Sequence, residues 1–256
     1  MTVLCDLDGV IYRGATALPG VPDALHRLSR SKVAVYFITN NSTRTPQATA
    51  EKITRLTGAP VEASRVFTSS MAAATLLEES DSPVLIVGED GVRAAVSDAG
   101  LAITEVPAKA RAVVVGLTRS FSYQSIAGAM DAIRNGARFI ASNNDPTFPT
   151  ERGLAPGAGA MVAAIAAATG AKPEVAGKPN EPMRELIRST VGDHAWVIGD
   201  RSDTDIALAA GQPGWRSILV LTGVTSGEEA TGSGADFVVA DFSAAVDLVI
   251  ERLEAS

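Results

Sequence analysis

The chain has 256 residues, 46% of them hydrophobic, and its 22 Lys and Arg against 29 Asp and Glu leave a net charge of −7. That length and apolar content support one large or two modest packed domains and argue against disorder. The negative balance argues against a nucleic-acid partner, which needs clustered Lys and Arg, and no apolar run approaches the ~20 residues of a membrane helix.

Met1 leads straight into Thr2-Val3-Leu4, with no basic region and apolar core of a secretory leader. The single cysteine, Cys5, cannot form an intrachain disulfide and sits in an apolar run, where it reads as core filler. Both features predict a cytoplasmic protein. His26 and His194 are the only histidines, so a histidine triad or multi-histidine metal site is not expected.

Strands and helices alternate along the chain. Residues 2–6 read as a buried strand that ends in Asp6-Leu7-Asp8-Gly9, an odd end because Asp is depleted in strands and buried charge is costly. If strand geometry persists, positions 6 and 8 face one spot. A loop or small hairpin over 9–19 precedes a helix at 21–30, with Pro22 in its first turn. A buried strand at 33–38 ends in Thr39-Asn40-Asn41-Ser42. Helix 46–57 opens on Pro46 and closes on Gly58, and a further helix is predicted over 69–79.

The polar break Ser80-Asp81-Ser82-Pro83 starts a second series: strand 84–87, helix 90–99, strand 112–115, helix 123–135 capped by Ser122, and strand 138–141. A turn-rich loop, 143–150, leads to helix 157–169. Gly157-Ala158-Gly159 lacks the third glycine of a dinucleotide fingerprint, because Val162 stands there; close helix packing accounts for it better. A short strand at 175–176 runs into Gly177-Lys178-Pro179-Asn180 and helix 181–191. Strand 195–198 ends in Gly199-Asp200-Arg201-Ser202-Asp203-Thr204-Asp205. Helix 204–210, strand 217–221, strand 236–239 and helix 243–253 complete the chain. Repeated βα units imply parallel sheets covered by helices. The expected architecture is an α/β doubly wound core formed by residues 1–80 and 178–256, with a second α/β module, 81–177, inserted into it.

Open parallel sheets present ligands at the carboxyl ends of their strands. Four separate segments here place Asp6 and Asp8, Thr39 and Asn40, Lys178, and Asp200 with Asp203 and Asp205 at or just beyond such ends. Converging carboxylates repel unless a cation sits among them, and oxygen-only donors without histidine favour Mg²⁺. Mg²⁺ held by few protein ligands usually binds phosphate as well. One aspartate can then act as nucleophile, a second as general acid and base, with lysine and threonine on the phosphoryl oxygens.

Asp6-Leu7-Asp8-Gly9, Phe37-Ile38-Thr39-Asn40-Asn41, Gly177-Lys178-Pro179 and Gly199-Asp200-Arg201-Ser202-Asp203-Thr204-Asp205 resemble the four ordered motifs of the haloacid dehalogenase-like phosphatases. Leu18-Pro19-Gly20, Val113-Val114-Val115-Gly116 with Phe121-Ser122-Tyr123, the 143–146 loop, Pro156-Gly157-Ala158-Gly159 and Leu221-Thr222-Gly223-Val224 are similar to the subfamily IIA branch. That branch includes NagD-like, p-nitrophenyl phosphate, phosphoglycolate, glycerol phosphate and pyridoxal phosphate phosphatases.

The resemblance implies a Mg²⁺-dependent phosphomonoester hydrolase of a small phosphorylated metabolite, working through an aspartyl phosphate. Asp6 would be nucleophile and metal ligand. Asp8 would be acid and base, its carbonyl on the metal. Thr39 and the Asn40 backbone would hold the phosphoryl group, and Lys178 would pair with both nucleophile and phosphate. Asp200 would ligate the metal directly and Asp205 through water, with Asp203 a weaker ligand candidate. The module 81–177 would be a substrate-specificity cap and would offer a surface for a homodimer. Its Phe148, Pro149 and Thr150 would face the leaving group, with Asn41 and Thr43 nearby. Two departures stand out: Ser202 replaces a larger apolar residue, and Phe148 replaces the His of the pyridoxal phosphate branch. A phosphomutase on the same scaffold and a non-enzymatic phospho-accepting domain are the alternatives.

Overall fold

The computed structural model describes residues 1–150 and 153–255. Its first strand, β1 (Thr2–Cys5), is followed by a small antiparallel hairpin, β2 (Tyr12–Arg13) and β3 (Thr16–Ala17). Helix α1 (Val21–Arg30) leads to β4 (Ala34–Thr39), and α2 (Pro46–Thr57) to β5 (Val66–Thr68) and α3 (Ser69–Ala74). The Thr45 hydroxyl caps α2 by accepting from the Ala48 N–H, and Gly58 ends it in the left-handed region, as its Pro and Gly punctuation predicts.

The second series follows: β6 (Val84–Val87), α4 (Asp90–Asp98), β7 (Ile103–Thr104), β8 (Ala112–Val115), α5 (Tyr123–Arg134), β9 (Arg138–Ala141), the hairpin β10 (Thr147–Thr150) and β11 (Gly153–Pro156), α6 (Ala158–Thr169) and β12 (Glu174–Val175). The chain then forms α7 (Glu181–Val191), β13 (Ala195–Gly199), α8 (Ala207–Ala209), β14 (Trp215–Val220), α9 (Gly227–Ala230), β15 (Phe237–Val239) and α10 (Phe242–Glu254).

Six strands form one parallel sheet in the order β15-β14-β13-β1-β4-β5. A second parallel sheet, β12-β9-β8-β6-β7, is built wholly from residues between 84 and 175. The fold is α/β and doubly wound. In the larger sheet the chain leaves β1 for β4 on one side and later adds β13 on the other. This reversal opens a crevice at the carboxyl ends of the three central strands.

One face of the large sheet packs Val3, Cys5, Phe37 and Ile198 against Val21 and Leu28 of α1, Ile53 of α2 and Phe242 of α10. Cys5 is fully buried there, in the filler role its sequence predicts. On the opposite face Leu4, Ile38 and Phe67 belong to a cluster that continues through Val84, Ile86, Val114 and Ile140 of the second sheet and Met183 and Ile187 of α7. A third cluster covers the far face of the second sheet, uniting Val87, Val115 and Phe139 with Val162 and Ile165 of α6.

Three local expectations differ from the structure. The helix predicted over 69–79 ends at Ala74: the Leu76 and Leu77 N–H groups bond three residues back, and the Leu76 carbonyl accepts from the Arg138 guanidinium instead of continuing the helix. The loop 143–150 contains a real strand, because Thr147–Thr150 pairs with Gly153–Pro156; Pro149 and Pro156 hide it by reading as turn residues. The helix predicted over 204–210 begins instead as a π-helical turn, Ser202–Ile206, in which both the Asp205 and Ile206 N–H groups bond the Arg201 carbonyl. Among the described residues no helix is long and apolar enough to cross a membrane.

Candidate active site

β1 lies between β4 and β13, so the residues that end these three strands share one crevice. The Asp6 N–H donates to the Ile198 carbonyl at 2.9 Å, which holds Asp6 just past the end of β1. Regular pairing stops at Cys5, and Asp8 reaches the crevice through the turn that follows. Gly9 closes that turn at φ +91°, where a Cβ would also lie 2.6 Å from the Asp200 carboxylate. From the far side, Gly223 approaches so closely that a Cβ would overlap Asp200.

Lys178 stands at the centre of the cluster, 4% exposed. Its Nζ donates to Asp6 Oδ1 at 2.5 Å and to Asp205 Oδ1 at 2.6 Å. Asp6, Asp200 and Asp205 are all buried, and each offers a carboxylate oxygen within 4.8 Å of the others. Asp205 also accepts from the Arg201 N–H at 3.1 Å, and Asp200 from the Val224 N–H at 2.7 Å. Burial works against the Lys178 ammonium, but Asp205 and Asp6 more than offset it and raise its pKa. Burial pushes Asp6 well above the ordinary carboxylate range; Lys178 opposes this, and Asp205 and Asp200 reinforce it. Burial and then Asp205 push Asp200 up to about 7. Asp8 is raised too, by burial, against the pull of Lys52, Lys178 and Arg44. One lysine against three buried carboxylates leaves a deficit of positive charge.

Thr39 ends β4 with its Oγ1 accepting from the Asn41 N–H at 3.0 Å. Asn40 turns its amide away from the cluster and onto the Lys178 backbone, whose N–H donates to Asn40 Oδ1 at 2.8 Å. Asn41 spends its own carbonyl oxygen on the N–H and hydroxyl of Thr43, at 3.0 and 2.7 Å. Asp203 points outward and binds the Arg201 guanidinium with both oxygens, at 3.1 and 2.8 Å. It is therefore not part of the carboxylate cluster.

These groups line a cavity of about 70 Å³. Asp6, Asp8, Thr39, Asn40, Asn41, Phe148, Pro149, Lys178, Asp200 and Asp205, all named in the sequence analysis, are on its wall. Thr43 and Thr150, named with them, are not: Thr43 is buried against Asn41, and the Thr150 hydroxyl donates to the Gly153 carbonyl across the hairpin. The structure adds Leu117, Asn143, Asp145, Arg201, Thr204 and Val224. Asp145 carried a signal in the sequence, a carboxylate two residues after Asn143 at the end of a strand, but it reads equally as a turn. Ser202 keeps a buried hydroxyl oxygen with no hydrogen-bond partner among the described residues.

A family model described as haloacid dehalogenase-like hydrolase matches residues 3–102, and one described as HAD-hydrolase-like matches residues 175–245. The chain is 38% identical over 233 residues to the 5'-nucleotidase YutF of Bacillus subtilis, covering 89% of this chain and 90% of that one. It is 41% identical over 235 residues to the D-glycerol 3-phosphate phosphatase of Mycobacterium tuberculosis, covering 89% of this chain and 65% of that one. The crystal structure of glycerol phosphate phosphatase from Mycobacterium tuberculosis in complex with magnesium superposes with a TM-score of 0.84 at 37% identity, over 94% of this chain and 74% of that one.

Proposed function

The chain belongs to the haloacid dehalogenase-like hydrolases, in subfamily IIA, and from that membership we propose which residues do its chemistry and what kind of ester it cleaves. It is a phosphoric monoester hydrolase, and phosphatases of this family use Mg²⁺. Three buried carboxylates within 4.8 Å, offset by a single lysine, fit such a cation: an oxygen-only donor set with charge to spare. Asp6, Asp200 and Asp205 would hold it, together with the Asp8 carbonyl. When bound, the ion draws charge from the phosphoryl oxygens.

The side chains divide the remaining work. Lys178 favours the ionised form of Asp6, which attacks phosphorus through a carboxylate oxygen while the bond to the leaving oxygen breaks. Asp8, whose burial makes it hold a proton to higher pH, hands that proton to the leaving oxygen. Water then attacks the aspartyl phosphate, Asp8 takes its proton, and phosphate departs with Asp6 restored. Thr39 Oγ1 already accepts from the Asn41 N–H, so its own O–H is available to a phosphoryl oxygen. The Asn40 N–H and the Lys178 ammonium complete that cradle.

Residues 81–177 serve as the cap over a core made of 1–80 and 178–256. The walls contributed by Leu117, Asn143, Asp145 and Phe148 support that division, because residues of 81–177 line the same cavity as Asp6 and Lys178. The substrate is a small monoester such as glycerol phosphate, phosphoglycolate, a nucleotide or a sugar phosphate; the phosphatases named above support this class. The net charge of −7 favours such a metabolite over a nucleic-acid partner. The lone buried cysteine supports a cytoplasmic setting.

The observation that carries this reading is Lys178 held between Asp6 and Asp205 with Asp200 beside them. Phosphate release over a panel of monoesters tests it. Release that stops in EDTA, returns with Mg²⁺ and is abolished by Asp6→Asn is expected. An isomeric ester formed in place of phosphate would make the protein a mutase, and a lasting phosphoprotein would make it a phospho-acceptor.

A further inference from the structure

We propose that Asp145 is a positioning residue: by gripping Asn40 it sets the backbone of Lys178, so the nucleophile and its lysine are aligned only when the inserted module is seated on the catalytic sheet. The inference rests on the phosphatase reading above.

Asn40 directly follows β4 and is 8% exposed. Its side chain is used to capacity as a donor. One part of the Nδ2 amide bonds the Lys178 carbonyl at 3.2 Å; the rest bonds both oxygens of Asp145, each at 3.1 Å. The other end of the amide, Oδ1, accepts the Lys178 N–H at 2.8 Å. Asn40 therefore brackets the Lys178 peptide from both sides while its outer edge is fixed by the insert. From Lys178 the connection continues through Nζ to Asp6 and Asp205. The line Asp145–Asn40–Lys178–Asp6 thus joins the insert to the nucleophile through hydrogen bonds at either end of the Lys178 residue, backbone on one side and Nζ on the other.

Neighbouring contacts make this a clamp rather than a single bond. Asn143 Nδ2 donates to the Asn40 carbonyl at 2.6 Å, and Asn143 Oδ1 accepts the Asp145 N–H at 3.1 Å. The Gly177 N–H donates to the Ser142 carbonyl at 2.7 Å. A Cβ on Gly177 would lie 2.6 Å from both Asn40 Oδ1 and the Ser142 carbonyl oxygen, so the segment before Lys178 threads a gap only glycine fits. Of these, the Asn143–Asn40 bond crosses from the insert to the core, while the Asn143–Asp145 and Gly177–Ser142 bonds hold the insert's own segments beside Asn40 and Lys178.

The choice of a carboxylate at position 145 is informative. Asp145 is not in the cluster of Asp6, Asp200 and Asp205, and burying an acid is costly. Holding one amide N–H₂ against the core is what that charge accomplishes, because a charged acceptor makes a hydrogen bond roughly twice as strong as a neutral one. Two phosphoryl-binding groups depend on the result, the Lys178 ammonium and the Asn40 N–H. Misplacement by about 1 Å can cost on the order of 100-fold in rate.

The test measures kcat and KM for p-nitrophenyl phosphate at saturating Mg²⁺ in the full-length protein, with a thermal melt of every variant. The set is Asp145→Ala, Asp145→Asn, Asn40→Ala and the double alanine variant. Asp145→Ala is expected to lower kcat by about 10–100-fold with KM moved by less than about threefold, as for partners that orient catalytic groups. Asp145→Asn, which keeps one neutral acceptor oxygen for Asn40, should recover part of that loss. The double variant should be no slower than the slower single one, since both remove the same link. A kcat for Asp145→Ala within about twofold of wild type, additive losses in the double variant, or an Asp145→Asn as slow as the alanine would each overturn the assignment. Should alanine fail to fold, Asp145→Ser takes its place in the cycle. A wild type that releases no phosphate would sink the hydrolase reading itself, a signature distinct from an active enzyme indifferent to position 145.

Discussion

Lys178→Met separates the charge of the lysine from its bulk. Nζ lies 2.5 Å from Asp6 and 2.6 Å from Asp205, and the side chain is almost wholly out of solvent. Methionine fills similar space and leaves Asp6, Asp200 and Asp205 facing one another with no cation between them. Removing one partner of a buried pair costs about 3–5 kcal/mol, because the charge left behind is uncompensated. For a chain of this size 1 kcal/mol moves the melting midpoint by about 2–4 °C, so the metal-free variant should melt about 6–20 °C below wild type. Mg²⁺ binds the native cluster and stabilises it, by about 2.7 kcal/mol at 100 times Kd. The ion meets more unopposed negative charge in the variant, so the gap between the proteins should narrow in Mg²⁺. Turnover should stay about 10²–10³-fold down, because the phosphoryl group has lost a preorganised cation. Parallel melts in EDTA and in Mg²⁺ supply the measurement. A metal-free midpoint within about 2 °C of wild type, or a gap that Mg²⁺ leaves unchanged, would refute the charge-deficit account of the cluster.

Three further outcomes are expected. Asp8→Asn should slow esters of alkyl alcohols about 10²–10⁴-fold, and p-nitrophenyl phosphate far less, because p-nitrophenolate departs without a proton; equal losses would remove Asp8 from the acid role. Ser202→Ala should raise stability by about 1 kcal/mol, since it deletes a buried hydroxyl without a partner, and a lower melting point would show that the hydroxyl is engaged. Asp236 accepts from the Ser217 N–H at 2.8 Å, the Ser217 hydroxyl at 3.0 Å and Arg216 at 2.9 Å; burial opposes these bonds, but they hold its pKa below the ordinary value. Its contribution to stability is therefore present above the unfolded pKa of ~3.9 and lost as pH falls through the lower folded value. The melting difference between wild type and Asp236→Asn should be present at neutral pH and vanish in acid; a difference that grows on acidification would contradict the sign.

The carboxylate–lysine cluster is legible in the sequence because its members are chemically out of place. Carboxylates and a lysine at the ends of apolar strands have few structural uses, and the parallel βα pattern says which ends meet. Asp6, Thr39, Lys178 and Asp200 follow from that logic. The walls of the cavity do not. Asp145 meets Asn40 across 105 positions of sequence, and nothing local separates Asn143-Asn144-Asp145-Pro146 from an ordinary turn. The strand at 147–150 was masked by prolines whose missing N–H groups matter little in a two-stranded ribbon. The resemblance places Thr43 and Thr150 near the leaving group; in the structure the Thr43 hydroxyl donates to Asn41 Oδ1 and the Thr150 hydroxyl to the Gly153 carbonyl. Polar residues at strand ends announce a site; polar residues in loops usually satisfy the loop.

The apolar cluster shared by the two sheets bears on how the inserted module can be exchanged. Leu4, Ile38 and Phe67 touch the same pool of side chains as Val84, Ile86 and Val114. A chimera that grafts residues 81–177 from a relative imports half of that seam and must match the other half in volume. Each unmatched methylene forfeits about 0.8 kcal/mol. The hairpin that presents Phe148 packs instead on the separate cluster formed with α5 and α6. Exchanging residues 147–156 alone would redraw the cavity wall without reopening the seam, which makes the ribbon, not the module, the natural unit of transplantation.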